Sequence, residues 1–327
     1  MQPRVVAITG ASSGIGRATA ILFAQRGWRV GLIARSADTL ADACKDVVGE
    51  GGTAAMATAD VADSAQLEAA ADQIEATLGP IDVWINNAGV SVYGHFLDIP
   101  EPEYRRLTET NYYGTVNGTR VALKRMQKRD RGTIVQVISA AGYRGIPLQA
   151  PYCASKWALR GFTEAVRAEL VHQRSRVHLT MVHPPAVNTP FYNHALLHVD
   201  KPVRPPPPIY QPELIADAIH LAATTRRREV KVTEQTVAFA LGNALAPGLL
   251  ERVIGRVGVA LQLSDRGGAV AERDPNLDRP GRIARAHGAF DAESLSVSPQ
   301  LWLSRNRDAV RLGLGLIALA WLAGRRA

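Results

Sequence analysis

A three-layer, doubly wound α/β fold with a parallel sheet, carrying a C-terminal extension, is what this 327-residue sequence predicts. Three observations carry the prediction. Short apolar or β-branched runs recur at 5–9, 29–34, 54–59, 81–86, 133–138, 177–182 and 229–233, with amphipathic stretches between them. Such alternation of strand and helix implies βαβ units, whose crossovers keep the strands parallel. A glycine-rich turn stands between the first strand and the first helix, and polar or glycine residues follow nearly every other strand, where an open parallel sheet holds its ligands.

The helices follow in order. One begins after Gly14, one after the cap Ser36, one after Ser64, a long one spans about 101–128, and another about 152–173. From 188 to 212 the pattern breaks, and the prolines 205–208 forbid helix. Helical character returns at 212–225 and at about 241–257. The stretch 264–299, rich in Gly, Pro, Asp and Arg, reads as a flexible linker. Residues 312–323 form an apolar run flanked by Arg305, Arg307, Arg311, Arg325 and Arg326. The chain thus divides into a dinucleotide-binding domain over 1–260, a linker over 261–300 and an apolar tail helix over 301–327. The tail is shorter than the roughly 20 residues that cross a bilayer. It lies on a membrane surface with its arginines at the headgroups, packs on a partner subunit, or is a frayed tail.

Composition limits the function classes. With 46% hydrophobic residues the chain can bury a large core, and a formal charge of +8 favours anionic contacts without specifying them. The arginines are dispersed and no nucleic-acid reading element is recognisable, so no nucleic acid is expected. Two cysteines, Cys44 and Cys153, both in helical stretches, argue for quiet thiols in a reducing, cytoplasmic compartment. The N-terminus shows no signal peptide pattern. His95, His194 and His198 lack a metal-ligand partner set and read as loop or surface residues; no metal is expected.

The cofactor features come first along the chain. In Gly10-Ala11-Ser12-Ser13-Gly14-Ile15-Gly16, glycines allow a tight turn and bring backbone N–H groups and a helix N-terminus against a pyrophosphate. Where an NAD enzyme offers a carboxylate after the second strand, this chain has Arg35, suited to the extra phosphate of NADP(H). Asp60 and Val61 would meet an adenine, and the turn Asn86-Asn87-Ala88-Gly89 would lie against the cofactor. Tyr152 and Lys156, four apart on one helix, share a face, and an ammonium beside a phenol stabilises phenolate. Ser139, at the end of the 133–138 strand, adds a hydroxyl for a substrate oxygen.

Together TGASSGIG, NNAG, the serine before YCASK and the following HPPAVNTP resemble the short-chain dehydrogenase/reductase family, in a bacterial subgroup with a C-terminal extension; the match covers about residues 3–235. The resemblance implies a Rossmann-type fold and an NADP(H)-dependent oxidoreductase acting on CH–OH or C=O groups. It implies that Tyr152 exchanges the proton, Lys156 lowers its pKa and holds the nicotinamide ribose, Ser139 orients the carbonyl and Asn111 supports a proton relay to Lys156. Pro184, Val187 and Thr189 would face the nicotinamide. Pro185 departs from the family's usual glycine and stiffens that turn. Family members form homodimers or homotetramers through the helices placed at 101–128 and 152–173. The substrate lining, predicted from Tyr143, Ile146, Pro147, Leu148, Val92, Tyr93, Phe96, Phe191, Tyr192, Leu196 and Leu197, suits an apolar carbonyl or alcohol. The competing reading is a catalytically silent NADP(H) sensor or scaffold, which has no need of Tyr152 with Lys156.

Overall fold

The computed structural model describes residues 4–264 and 272–310. Its strands are β1 (Val5–Thr9), β2 (Arg29–Ala34), β3 (Thr53–Thr58), β4 (Ile81–Asn86), β5 (Val92–Gly94), β6 (Thr133–Val137), β7 (His178–His183), β8 (Leu196–His198), β9 (Ile209–Tyr210), β10 (Glu229–Lys231) and β11 (Ser294–Leu295). The helices are α1 (Gly14–Gln25), α2 (Ala37–Gly49), α3 (Ser64–Leu78), α4 (Glu101–Thr108), α5 (Gly114–Lys128), α6 (Ala150–His172), α7 (Phe191–His194), α8 (Pro212–Thr224), α9 (Glu234–Leu245), α10 (Pro247–Gln262) and α11 (Pro299–Arg305).

Seven strands form one parallel sheet in the order β10-β7-β6-β4-β1-β2-β3. The order reverses between β1 and β4, which opens a crevice at their carboxyl ends. Period-two alternation along β1 builds the three layers: Val6 and Ile8 join a core with α1 and α8, while Val5 and Ala7 join one with α3 and α5. Both faces are covered, so β1 is buried throughout, as parallel strands are.

Local chemistry sets the helix starts. Ser36 accepts from the Thr39 N–H to cap α2, and Asp63 accepts from Ala65 and Gln66 to cap α3. Ser13 begins α1 with no side-chain cap, so the amides that lie over the glycine turn are left for other acceptors.

Three segments differ from the sequence expectation. The helix predicted over 101–128 is interrupted by a π turn at Glu109–Tyr113, which places the Asn111 side chain inward. The single helical stretch at 241–257 is two helices, α9 and α10, because Pro247 lacks the N–H needed to continue α9 and starts α10 instead. The described part of the predicted linker packs on the core: Leu277, Ile283 and Phe290 are buried, and β11 pairs with β9. Its apolar anchors are few and widely spaced and its main chain bonds the core directly, which leaves no periodic signal. The apolar run 312–323 lies outside the described residues. Among the described residues, no helix is long and apolar enough to cross a membrane.

Candidate active site

The carboxyl ends of the sheet strands place the predicted residues along one groove. At one end a cavity of about 400 Å³ is lined by Ser13, Gly14, Ile15, Asn87, Gly89, Ser139, Tyr152, Lys156, Pro184, Val187 and Thr189. At the other end a cavity of about 90 Å³ is lined by Gly10, Ser12, Arg35, Asp60, Val61, Ala88 and again Gly89. Gly16 lies beneath the turn. A Cβ there would stand 2.1 Å from the Gly10 carbonyl oxygen, and one at Gly10, whose φ is +65°, 2.8 Å from Ala88 Cα. Both positions therefore demand glycine.

At the larger end, Tyr152 and Lys156 sit on the first turns of α6 and share a face. The Tyr152 phenol is hydrogen-bonded to Ser139, and Ser139 Oγ accepts from the Ala141 N–H at 3.1 Å. Tyr152 lines the cavity but is otherwise enclosed by protein, and burial pushes its phenol up to about 12. Burial brings Lys156 down to about 8. Its Nζ donates to the Val137 carbonyl at 3.1 Å and lies 5.5 Å from the Tyr152 ring centre. The sequence predicts a phenol lowered by the lysine. Desolvation moves both groups the other way, leaving a protonated phenol beside a lysine lowered to about 8.

Asn111 is fully buried. It accepts from the Val90 N–H at 2.8 Å and donates to Val90 O and Ser155 Oγ, which ties the π turn to the strand-end loop and to α6. A Cβ on Gly89 would lie 3.4 Å from Asn111 Oδ1 and 4.0 Å from Lys156 Nζ, so the two side chains flank that glycine. Asn87 holds the turn through Thr9 O and Gly10 O.

At the smaller end Arg35 is present, but its fork already donates to the carbonyls of Asn276 and Leu277, the latter at 3.1 Å. Although burial acts to raise it, Asp60 is held below the usual carboxylate range by the Ala62 N–H and Arg106.

Of the predicted apolar lining, Tyr93, Ile146, Phe191 and Tyr192 face the larger cavity. Tyr143 turns away to donate to Glu229 at 2.7 Å, Leu148 is buried in a neighbouring core, and Phe96 is exposed. The sequence reading missed Phe239, Leu250, Ile254 and Leu261 from α9 and α10, which form the outer wall. Leu250 and Ile254 lie in the helical stretch expected at 241–257, but nothing local said which cavity they would face; Phe239 and Leu261 lie outside that stretch. His194, expected in a loop or at the surface, is buried at the end of α7 with its Nε2 3.8 Å from Asp274 Oδ2, because the later chain folds over it. His198 pairs with Glu103 at 2.6 Å. Cys44 and Cys153 are both free. Among the described residues no cluster of His, Cys, Asp and Glu could hold a metal ion.

A family model described as short chain dehydrogenase matches residues 4–198. An uncharacterized oxidoreductase, YxnA, of Bacillus subtilis is 35% identical over 268 residues, covering 81% of this chain and 75% of its own. The 3-ketodihydrosphingosine reductase of Bos taurus is 35% identical over 190 residues, 57% of each chain. Among solved structures, a single-residue variant of actinorhodin polyketide ketoreductase with NADPH superposes with a TM-score of 0.63 at 30% identity, covering 68% of this chain and 90% of that one. A short chain dehydrogenase/reductase from Burkholderia phymatum in complex with NAD shares the fold, with a TM-score of 0.69 at 24% identity over 76% of this chain and 95% of that one.

Proposed function

The chain belongs to the short-chain dehydrogenase family, and from that premise we propose that it interconverts an apolar carbonyl and its alcohol with NADP(H), Tyr152 exchanging the proton. The observation that carries this reading is the enclosure of Tyr152, Ser139 and Lys156 together at one wall of a cavity of about 400 Å³ whose other walls include Ile146, Phe191, Phe239 and Ile254.

The residues fit a dinucleotide. The two glycines that no side chain can replace keep side chains out of the turn, so that its backbone N–H groups suit a phosphate, and Arg35 stands after β2 with no carboxylate in its place. When bound, the cofactor supplies or accepts the hydride. The protein's groups handle the proton. A phenol held up near 12 is fully protonated at neutral pH, so it can donate to a carbonyl oxygen that gains electron density. Ser139, already bonded to that phenol, would hold the same oxygen. Lys156, with a pKa near 8, is a cation in most molecules at pH 7, and its charge would stabilise the phenolate left after transfer. Asn111 acts at one remove, by fixing the π turn beside Gly89 and Lys156.

The apolar walls favour a substrate with an extended hydrocarbon part, and the name of the bovine relative, 3-ketodihydrosphingosine reductase, is in keeping with a keto substrate. Following NADPH oxidation by absorbance over a series of apolar ketones, aldehydes and quinones tests the proposal, with Tyr152→Phe as control. Turnover that disappears in the control supports it; equal rates in both proteins sink the role of Tyr152.

A further inference from the structure

The groove between Arg35 and Tyr152 is crossed by a piece of chain from the far end of the molecule. Residues 274–288 run from His194 over Arg35 and the glycine turn towards Thr189. Main-chain oxygens contact two groups that would receive phosphates, Arg35 and the amide at the head of α1, and the neighbouring Arg17. Arg35 donates to Asn276 O and Leu277 O, the Gly14 N–H at the head of α1 donates to Arg285 O at 2.9 Å, and Arg17 donates to Ala284 O. A carbonyl oxygen at a helix N-terminus and two on a guanidinium fork mimic an anion in the same place.

The segment is held as a strap. Its ends are pinned by Asp274 N to Asn193 O, Asn276 N to His194 O and Gly288 N to Asn188 O. Its turn is closed by Asp274, whose Oδ2 accepts from the Arg282 and Ile283 amides. Beneath it only about 90 Å³ remains, below the roughly 300 Å³ at which ligand pockets begin. Asn276 Oδ1 and His194 Nε2 are buried there without a hydrogen-bond partner, so the docked strap leaves polar groups unsatisfied.

We propose that residues 274–288 are a built-in competitor for the cofactor, occupying its phosphate donors with carbonyl oxygens, so that the dinucleotide binds by displacing the strap. The proposal rests on the NADP(H) reading of this groove. It makes the apparent affinity equal to the intrinsic one multiplied by the fraction of molecules with the strap lifted. Loosening the strap therefore tightens binding, the reverse of what loss of a covering lid would do.

The test is NADPH binding by calorimetry to the full chain and to Asp274→Ala, which removes the acceptor that closes the strap, with hydrogen exchange of the wild type measured with and without NADPH. The expected result is a Kd about tenfold lower in the variant, the scale of one or two ordinary hydrogen bonds, and faster exchange at the Asn276 and Gly288 amides once NADPH is added. Gly281→Val, whose Cβ would stand 2.9 Å from His194 Nε2, should act in the same direction and guards against a misfolded first variant. Weaker binding in both variants, with slower exchange on adding NADPH, would mean that the strap closes over a bound cofactor and would overturn the proposal. Equal Kd values and unchanged exchange would overturn it too while leaving the NADP(H) reading intact. If none of the proteins binds NADPH, that reading falls and the strap proposal falls with it.

Discussion

The two ends of the groove are built from the same row of strand ends and yet differ in kind. Around Tyr152 the walls are largely side chains, with Ile146, Phe191, Phe239, Leu250 and Ile254 facing polar groups that include Ser139, Tyr152 and Lys156, and about 400 Å³ is open. Around Arg35 the roof is main chain from residues 274–288 and about 90 Å³ is left. The proposed chemistry rests on side chains at fixed spacing on α6 and just beyond β6, whereas the other end is covered by a distant segment. One end is set by local sequence and the other by tertiary docking, and substitutions at each should fail differently.

The largest effect is expected at the open end. Tyr152→Phe keeps the ring and its packing on Phe191, 5.7 Å away between centres, and removes only the proton. The proposed role predicts a kcat about a thousandfold lower, within the usual range for a positioned acid. NADPH affinity should stay within about twofold, as read by steady-state rates beside calorimetry. A similar loss of affinity would break the division between the two ends.

Next is Lys156→Met, where activity and stability should move in opposite directions. Turnover should drop about a hundredfold, as expected for losing a group that assists proton transfer. Stability should rise, by up to about 3 kcal/mol at pH 7, because burial lowers this amine from 10.5 to about 8. Between pH 8 and 10.5 the unfolded chain holds a proton that the folded chain has released, so wild-type stability climbs with pH. The advantage of Lys156→Met therefore shrinks towards pH 10, which urea midpoints at pH 7 and pH 9.5 would reveal.

At the covered end, Arg35→Ala removes an anchor of the strap and, on the proposed reading, the group that would receive the 2′-phosphate. NADPH should bind more weakly and NADH, with no 2′-phosphate, somewhat more tightly. The preference for NADPH over NADH should fall about thirtyfold, on the scale of a charge-assisted hydrogen bond. A preference that does not change, measured by competition between the two cofactors, would remove Arg35 from cofactor selection.

How much of this was legible in the sequence follows the same division. The sheet strands and the positions of Gly10, Ser139, Tyr152 and Lys156 follow from alternation, turn chemistry and i,i+4 spacing, all local properties. Arg35 was legible as a residue but not in its environment, because the carbonyls of Asn276 and Leu277 lie in a stretch whose composition resembles a linker. Asn111 took its place from a resemblance; the π turn that aims it leaves no mark in the spacing of apolar residues. Phe239 and Ile254 show the remaining kind of miss. The helix expected at 241–257 holds Ile254 but stops short of Phe239, and the face both turn to the cavity depends on Pro247 folding α10 back on α9.

The smallest effect concerns that last wall and sharpens the account of the open end. Ile254 lines the cavity from α10, well outside the matched residues 4–198. If the extension forms part of the substrate site, Ile254→Ala removes apolar contact only for a substrate long enough to reach it. At ~25 cal/mol per Å² over roughly 40 Å² of lost contact, kcat/KM for a long-chain ketone should fall about fivefold. A four-carbon ketone, which would end near Tyr152, should react as fast as before. Because truncating a half-buried residue could also loosen α10 as a whole, the ratio between the two substrates is the quantity to measure. A loosened helix would alter both rates together, whereas a lost wall alters one. An unchanged ratio would confine the substrate site to the family core and leave α10 a purely structural role.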